Sequence, residues 1–309
     1  MNRSLWLKIG GTAILLFYLF STHDFSRTYV VLKESTTWLL LPCLVVSLFS
    51  QVLGAYRWQI LSTPQGFDLP FREFFKTFML GNFLSLFLPG TAGGDIGRIF
   101  YIAKKSGQSS LKALGTLIPE RIFGLLTLLL LTAIAGLLLP TQQIAAYWQT
   151  SVLSFCGFTL LGCLSLYLIP IQKLVEKFPH LTVLSHFSVY WRNLPLLSLS
   201  LLLSLLAHLL MILIHLLIAQ SLGLNLSFAC LTWIYGLVSL AAVLPISLNG
   251  MGVREGAYIA LLGLFGVSSH QGMAFALYWF FILLMTGLLG GWPLLTGNAL
   301  PRPQPKNTP

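Results

Sequence analysis

Charge is scarce in this chain: Asp, Glu, Lys and Arg make up 8% of its 309 residues, and only 8 of those residues are acidic. Soluble domains carry about 25% charged residues, so water is excluded as the main solvent. Long polar stretches are missing too. The longest, roughly residues 171–193, falls far below the ~50 residues of a small soluble domain, which leaves no place among them for a soluble catalytic domain. Cysteine is rare, and Cys43, Cys156, Cys163 and Cys230 all lie in apolar runs without the paired spacing of a zinc site or a disulfide framework, so they read as packing residues. His208 and His215 share a helix face, but seven residues put them about 10.5 Å apart along the axis, too far to ligate one ion. The glycine-containing stretches "GDIG" and "GMGVREG" lack the P-loop lysine and a preceding strand. No metal and no cofactor are expected.

What is present is apolar: 56% hydrophobic residues, with mean hydropathy +0.83. The chain reads as an all-α polytopic membrane protein, a single transmembrane domain over residues 1–300 followed by a short tail at 301–309. Runs long enough to cross a ~30 Å hydrocarbon core, which takes about 20 helical residues, occur at 5–22, 36–57, 116–139, 150–170, 194–220 and 271–295. The first imitates a signal peptide but lacks a small-residue cleavage pattern, so it reads as a retained span. Six crossings return the tail to the side of the N-terminus. With both termini cytoplasmic, 15 of the 18 Lys and Arg fall on the inner side, only Arg27 and Lys33 fall outside, and Arg254 stays unassigned, as the positive-inside rule requires. A net charge of +10 spread beside apolar spans fits anionic lipid headgroups rather than nucleic acid. Trp6, Trp38, Trp58, Trp148, Trp191 and Trp292 fall near span ends, as an interfacial belt would.

Two apolar stretches do not fit this scheme. Residues 74–89 and 229–245 are interrupted, and the short run after the second, 257–267, holds 11 residues, about 16 Å of helix and half a bilayer core. Each region, 74–105 and 229–267, reads as a re-entrant dip, the first entering from the cytoplasmic face and the second from the opposite one. Their breaks share a frame. At an offset of 156, Leu84, Leu88, Pro89, Gly94 and Arg98 match Leu240, Leu244, Pro245, Gly250 and Arg254. Related segments inserted in opposite directions are the mark of an inverted repeat, which places substrate sites near mid-membrane between broken helices.

Proline removes a backbone donor and disfavours helix in the preceding residue, so Pro89 and Pro245 should end their helices. Gly93, Gly94, Gly250 and Gly252 permit the turns and close approaches that follow. Asn249 is expected to cap a helix beginning near Met251. A helix N-terminus beside Arg254 suits a phosphate. Asp95 with Arg98, Glu120 with Arg121, and Arg254 with Glu255 bring ionisable groups to the breaks, where the cost of charge in a bilayer demands a paired, interior or pathway position. These residues and Asn249 form the expected substrate site.

The stretches "GNFLSLFLPGTAGGDIGR", "IPERIFG" and "SLAAVLPISLNGMGVREGAYIALLGLFGVS", with "YRWQIL" upstream, resemble the lysylphosphatidylglycerol synthase transmembrane family, the flippase-like region of bacterial multiple peptide resistance factors. The likeness covers nearly the whole chain. It implies handling or translocation of a phospholipid or polyprenyl-phosphate-linked lipid in a bacterial inner membrane, with Asp95, Arg98, Glu120, Arg121, Arg254 and Glu255 at the polar motif positions. Two positions depart from the family pattern. Gly124 stands where members often carry an acid, and "ALYWFFILL" is neutral where they often carry a base. The expected partners are membrane lipids with anionic or phosphate-bearing headgroups, together with a second copy of the chain or a lipid or glycan synthase. The competing expectations are an intramembrane lipid-modifying enzyme, with Glu120 or Asp95 as general base and no catalytic domain of its own, and a noncatalytic accessory to such a synthase.

Overall fold

A computed structural model of the chain describes residues 25–88, 92–140, 146–168, 190, 193–243, 247 and 250–295, with a few positions between 10 and 22. All regular elements among the described residues are helical: α1 (Phe25–Glu34), α2 (Leu40–Ser62), α3 (Phe71–Phe87), α4 (Ala92–Ser106), α5 (Ser110–Leu138), α6 (Ala146–Leu168), α7 (Leu194–Ser221), α8 (Phe228–Val243), α9 (Val253–Gly263), α10 (Ser269–Leu289) and α11 (Trp292–Leu295). Among the described residues, four stretches are long and apolar enough to cross a membrane: Thr37–Gln65, Ser110–Leu138, Leu194–Ser221 and Ser269–Leu295. They coincide with four of the six expected crossings. The expected crossing at 150–170 overlaps α6, whose apolar segment Thr150–Leu161 is described in full. The first crossing lies largely outside the described residues, as do the 171–193 stretch apart from Tyr190 and Asn193, and the tail.

One boundary moved. The span expected from residue 116 begins at Ser110, where Ser109 caps the helix by accepting the Lys112 amide at 3.3 Å. Helix α5 therefore carries Pro119 in its interior, a residue that donates no backbone hydrogen bond there. Its 29 residues reach about 43 Å, more than a bilayer core, and Glu120 and Arg121 consequently lie inside a helix rather than at its start.

The two interrupted regions each fold back on themselves. Helix α3 packs antiparallel to α4, with Gly81 against Arg98, Leu84 against Gly97 and Leu88 against Gly93. Contact is backbone to backbone at Gly94, where an added Cβ would sit 2.2 Å from the Gly81 carbonyl oxygen. Only hydrogen fits there. Helices α8 and α9 pair likewise, with Ala242 near Gly250 and Trp233 in ring contact with Phe265. Gly250 and Gly252 take φ of 76° and 85°, the left-handed region that glycine enters without steric cost. No arm of these hairpins exceeds 17 residues.

Moved along by 156 residues, α2 falls within α7, α3 falls on α8 to within a residue, and α4 and α5 overlap α9 and α10. Packing follows the same correspondence. Helix α3 packs on α10 as α8 packs on α5, α2 packs on α10 as α7 packs on α5, and α2 packs directly on its counterpart α7. That central pair is antiparallel, with Cys43 against Ile214 near one end and Arg57 against Ser204 near the other. The largest core cluster lies on the side of α7, α8, α9 and α10 and includes Trp233, Tyr258, Phe275 and Ile282. A smaller one, containing Trp58, Phe74, Ile102 and Leu117, fills the space between α2, the first hairpin and the start of α5.

Candidate functional site

Helices α2, α4 and α5 bring five ionised side chains into one chain of contacts. Glu120 projects inward from α5 and accepts from Arg98 Nη2 at 2.7 Å and from Arg57 Nη2 at 3.2 Å. Arg98, one helical turn after Asp95 on α4, also meets that aspartate at 3.4 Å. Arg121 donates from Nη2 to both Asp95 oxygens, at 2.6 and 2.7 Å. Successive helix positions point about 100° apart, so neighbouring Glu120 and Arg121 serve different ends of the chain. Glu120 and Arg98 are 4% and 5% exposed, whereas Arg121 is 57% exposed. The network thus has a buried inner pair and an open outer one.

Burial of the inner pair is supported by more than its ions. The Arg98 guanidinium lies 4.2 Å from the centroid of the Trp58 ring and 4.4 Å from that of Phe78, contacts that favour a desolvated cation. Trp58 is fully buried and donates to Thr116 at 3.0 Å, so it is a floor for Arg98 and not the belt residue expected from its place near a span end. Trp38, at 70% exposed, remains available for an interface. Arg57 Nη1 donates to Ser204 on α7 at 2.6 Å, which ties the network to the second half of the molecule.

A cavity of about 220 Å³ opens beside this network, large enough for several waters at ~30 Å³ each. It is lined by Arg121 on α5, Arg254 on α9, Gln51 on α2, Asn82 and Ser85 on α3 and Thr286 on α10, with apolar contributions from Leu86 and Leu283. Asn82 donates to Gln51 at 2.6 Å. Arginines from the two hairpin regions' surroundings therefore meet at one cavity, and its described lining holds no carboxylate.

Of the expected site residues, Asp95, Arg98, Glu120 and Arg121 come together, and Arg254 joins Arg121 at the cavity. Glu255 is buried and accepts the Gly252 amide at 2.5 Å, which makes it a capping group for the first turn of α9. The N-cap of that helix is Gly252 and not Asn249. Pro89, Pro245 and Asn249 lie outside the described residues. Gly93 and Gly94 form the tight face between α3 and α4, and Gly250 and Gly252 the turn before α9.

Both span histidines are occupied. Acceptance by the Gly124 carbonyl fixes the proton of His208 on Nε2, at 2.9 Å, and leaves Nδ1 to accept from Tyr235 at 2.8 Å. His215 donates from Nδ1 to the Met211 carbonyl at 2.7 Å and accepts from Tyr258 at 2.6 Å. No cluster of three or more metal-ligating side chains occurs among the described residues. Arg57, Gln51 and Asn82 were not expected at the site. A lone Arg near a span end reads as an inner-side cation, and amides inside apolar helices carry no spacing signal, although their polarity in an oily run is itself a cue.

The family model of the lysylphosphatidylglycerol synthase TM region matches residues 5–291. No curated protein and no solved structure matches the chain significantly.

Proposed function

The chain belongs to the lysylphosphatidylglycerol synthase TM region family, and from that premise we propose that it is a lipid flippase or scramblase-like transporter. Its cargo is a phospholipid or polyprenyl-phosphate-linked lipid crossing the cytoplasmic membrane. The observation that carries this reading is the shared cavity of Arg121 and Arg254. Two arginines lining one cavity can offer a fork for phosphate oxygens, and the helices around it are otherwise apolar enough to leave acyl chains in lipid.

The architecture supports a path rather than a dead-end site. Counterpart helices α2 and α7 run antiparallel, which supports reading the units related by the 156-residue offset as an inverted repeat. In this reading, α3–α4 and α8–α9 are re-entrant hairpins entering from opposite faces, with both termini cytoplasmic. Irregular backbone at membrane depth is tolerated where it lines a wet cavity, and both hairpins border this one. The enzyme reading is less well served. Its candidate bases, Asp95 and Glu120, each accept from two arginines.

Reconstitution into liposomes containing a headgroup-labelled anionic lipid tests the proposal. Leaflet exchange above that of protein-free vesicles is expected, with covalent structure unchanged by mass spectrometry. Exchange no faster than in empty vesicles, across several headgroups, would rule it out.

A further inference from the structure

The ion network has an inner part and an outer part of different character. Arg98–Glu120 is a close pair with both partners at or below 5% exposure, and removing either member would leave the other a buried charge with only a longer contact, to Arg57 at 3.2 Å or to Asp95 at 3.4 Å. Asp95–Arg121 is open, with the partners 21% and 57% exposed. Arg121 holds Asp95 through a single nitrogen, Nη2, and the same residue lines the cavity with Arg254. Asp95 is not part of that lining. Its other contact, to Arg98 at 3.4 Å, is longer than the 2.7 Å bond by which Glu120 holds the same arginine.

We propose that Asp95 is an internal competitor of the ligand: its carboxylate and the ligand's phosphate contend for the guanidinium of Arg121. This rests on the reading of the cavity as an anion site. Phosphate oxygens reaching Arg121 and Arg254 together replace the contact that Asp95 makes with one nitrogen of Arg121. Asp95 keeps its place on α4 beside Arg98 and recaptures Arg121 as the ligand leaves, so it limits affinity and hastens release. Tight capture without release would stall a transporter, and an exposed ion pair supplies a weak, reversible opponent. Such a pair shifts an equilibrium by no more than about fivefold. An aspartate that instead contacted an ammonium group on the headgroup would act in the opposite sense.

The test measures binding of short-chain phosphatidylmethanol, an anionic lipid whose headgroup carries no polar group beyond its phosphate, to the purified full chain in detergent, with inorganic phosphate in a parallel arm. Asp95→Asn should tighten binding roughly three- to fivefold and slow dissociation, while Asp95→Glu stays close to the parent protein. Tightening for the lipid alone identifies a lipid-borne phosphate as the competitor. Tightening in both arms identifies the phosphate group itself. Unchanged or weaker binding by a folded Asp95→Asn protein, with Arg254→Gln still weakening it, overturns the competition and leaves the anion site standing. Binding that ignores Arg254→Gln overturns the site reading and this inference together.

Discussion

Replacing Glu120 by glutamine removes the one carboxylate that Arg98 and Arg57 share, at 2.7 and 3.2 Å. Two cations with 5% and 13% of their side chains exposed then face each other's charge, with Arg98 left only its 3.4 Å contact to Asp95. A single pair at ~4 Å and an effective dielectric near 20 is worth about 4 kcal/mol. Relief from burying Glu120 as an anion offsets part of that loss, so the net destabilisation should be about 3 kcal/mol, at the low end for breaking a buried pair. Cation–π contacts from Trp58 and Phe78 keep Arg98 in place and prevent a larger loss. Unfolding in mild detergent by titrated denaturant, followed by far-UV circular dichroism, measures the difference between parent and Glu120→Gln. Adding Arg98→Met to Glu120→Gln should recover part of the stability, because Arg57 then no longer faces a second buried cation. A loss below about 1 kcal/mol, with no recovery in the double variant, would refute the claim that this network is a buried, mutually compensated unit.

Other outcomes follow from local geometry. Gly94→Ala should separate α3 from α4, since its Cβ would lie 2.1 Å from Ser85 Oγ and 2.2 Å from the Gly81 carbonyl oxygen; a loss of about 2 kcal/mol in the same unfolding assay is expected. Tyr258→Phe leaves His215 Nε2 without its 2.6 Å donor and should cost about 1–2 kcal/mol. Burial pushes the Tyr190 phenol, which donates to the Leu61 carbonyl at 2.6 Å, up to about 12 from 10.0. Above the unfolded value the unfolded chain loses this proton first, so stability present at lower pH should fall from about pH 10 to about 12. Tyr190→Phe should remove that component, as a comparison of the two stability profiles over this range will report.

The hairpins were legible because their signals are local and unlike the rest of the chain. Pro, Gly and Arg are conspicuous in a Leu-rich background, and a pair of helices occupies each interrupted stretch, at 71–106 and at 228–263. Asp95, Arg98, Glu120, Arg121 and Arg254 stood out for the same reason, since ionised groups in oil need an explanation. The correspondence of α2 with α7 and of α5 with α10 was not legible, because many apolar sequences satisfy one helix equally well. Trp58 was misplaced because an aromatic near a span end suits an interface and a cation's floor alike. In the sequence Glu255 beside Arg254 reads as a ligand for substrate, whereas its carboxylate accepts the Gly252 amide, a contact set by the turn and not by the side chain's identity alone.

The shared cavity can be tested most directly by placing single cysteines at Ser85 and Thr286, one from α3 and one from α10, both on its wall. Native Cys43, Cys156 and Cys230 are buried, and the parent protein supplies the background rate for all native thiols. In proteoliposomes, both new thiols should react with a small charged thiol reagent, and added anionic lipid should slow both while a zwitterionic lipid of equal chain length does not. Thiols that stay unreactive, or that react at the same rate whichever lipid is present, would contradict a hydrated headgroup site between the two hairpins.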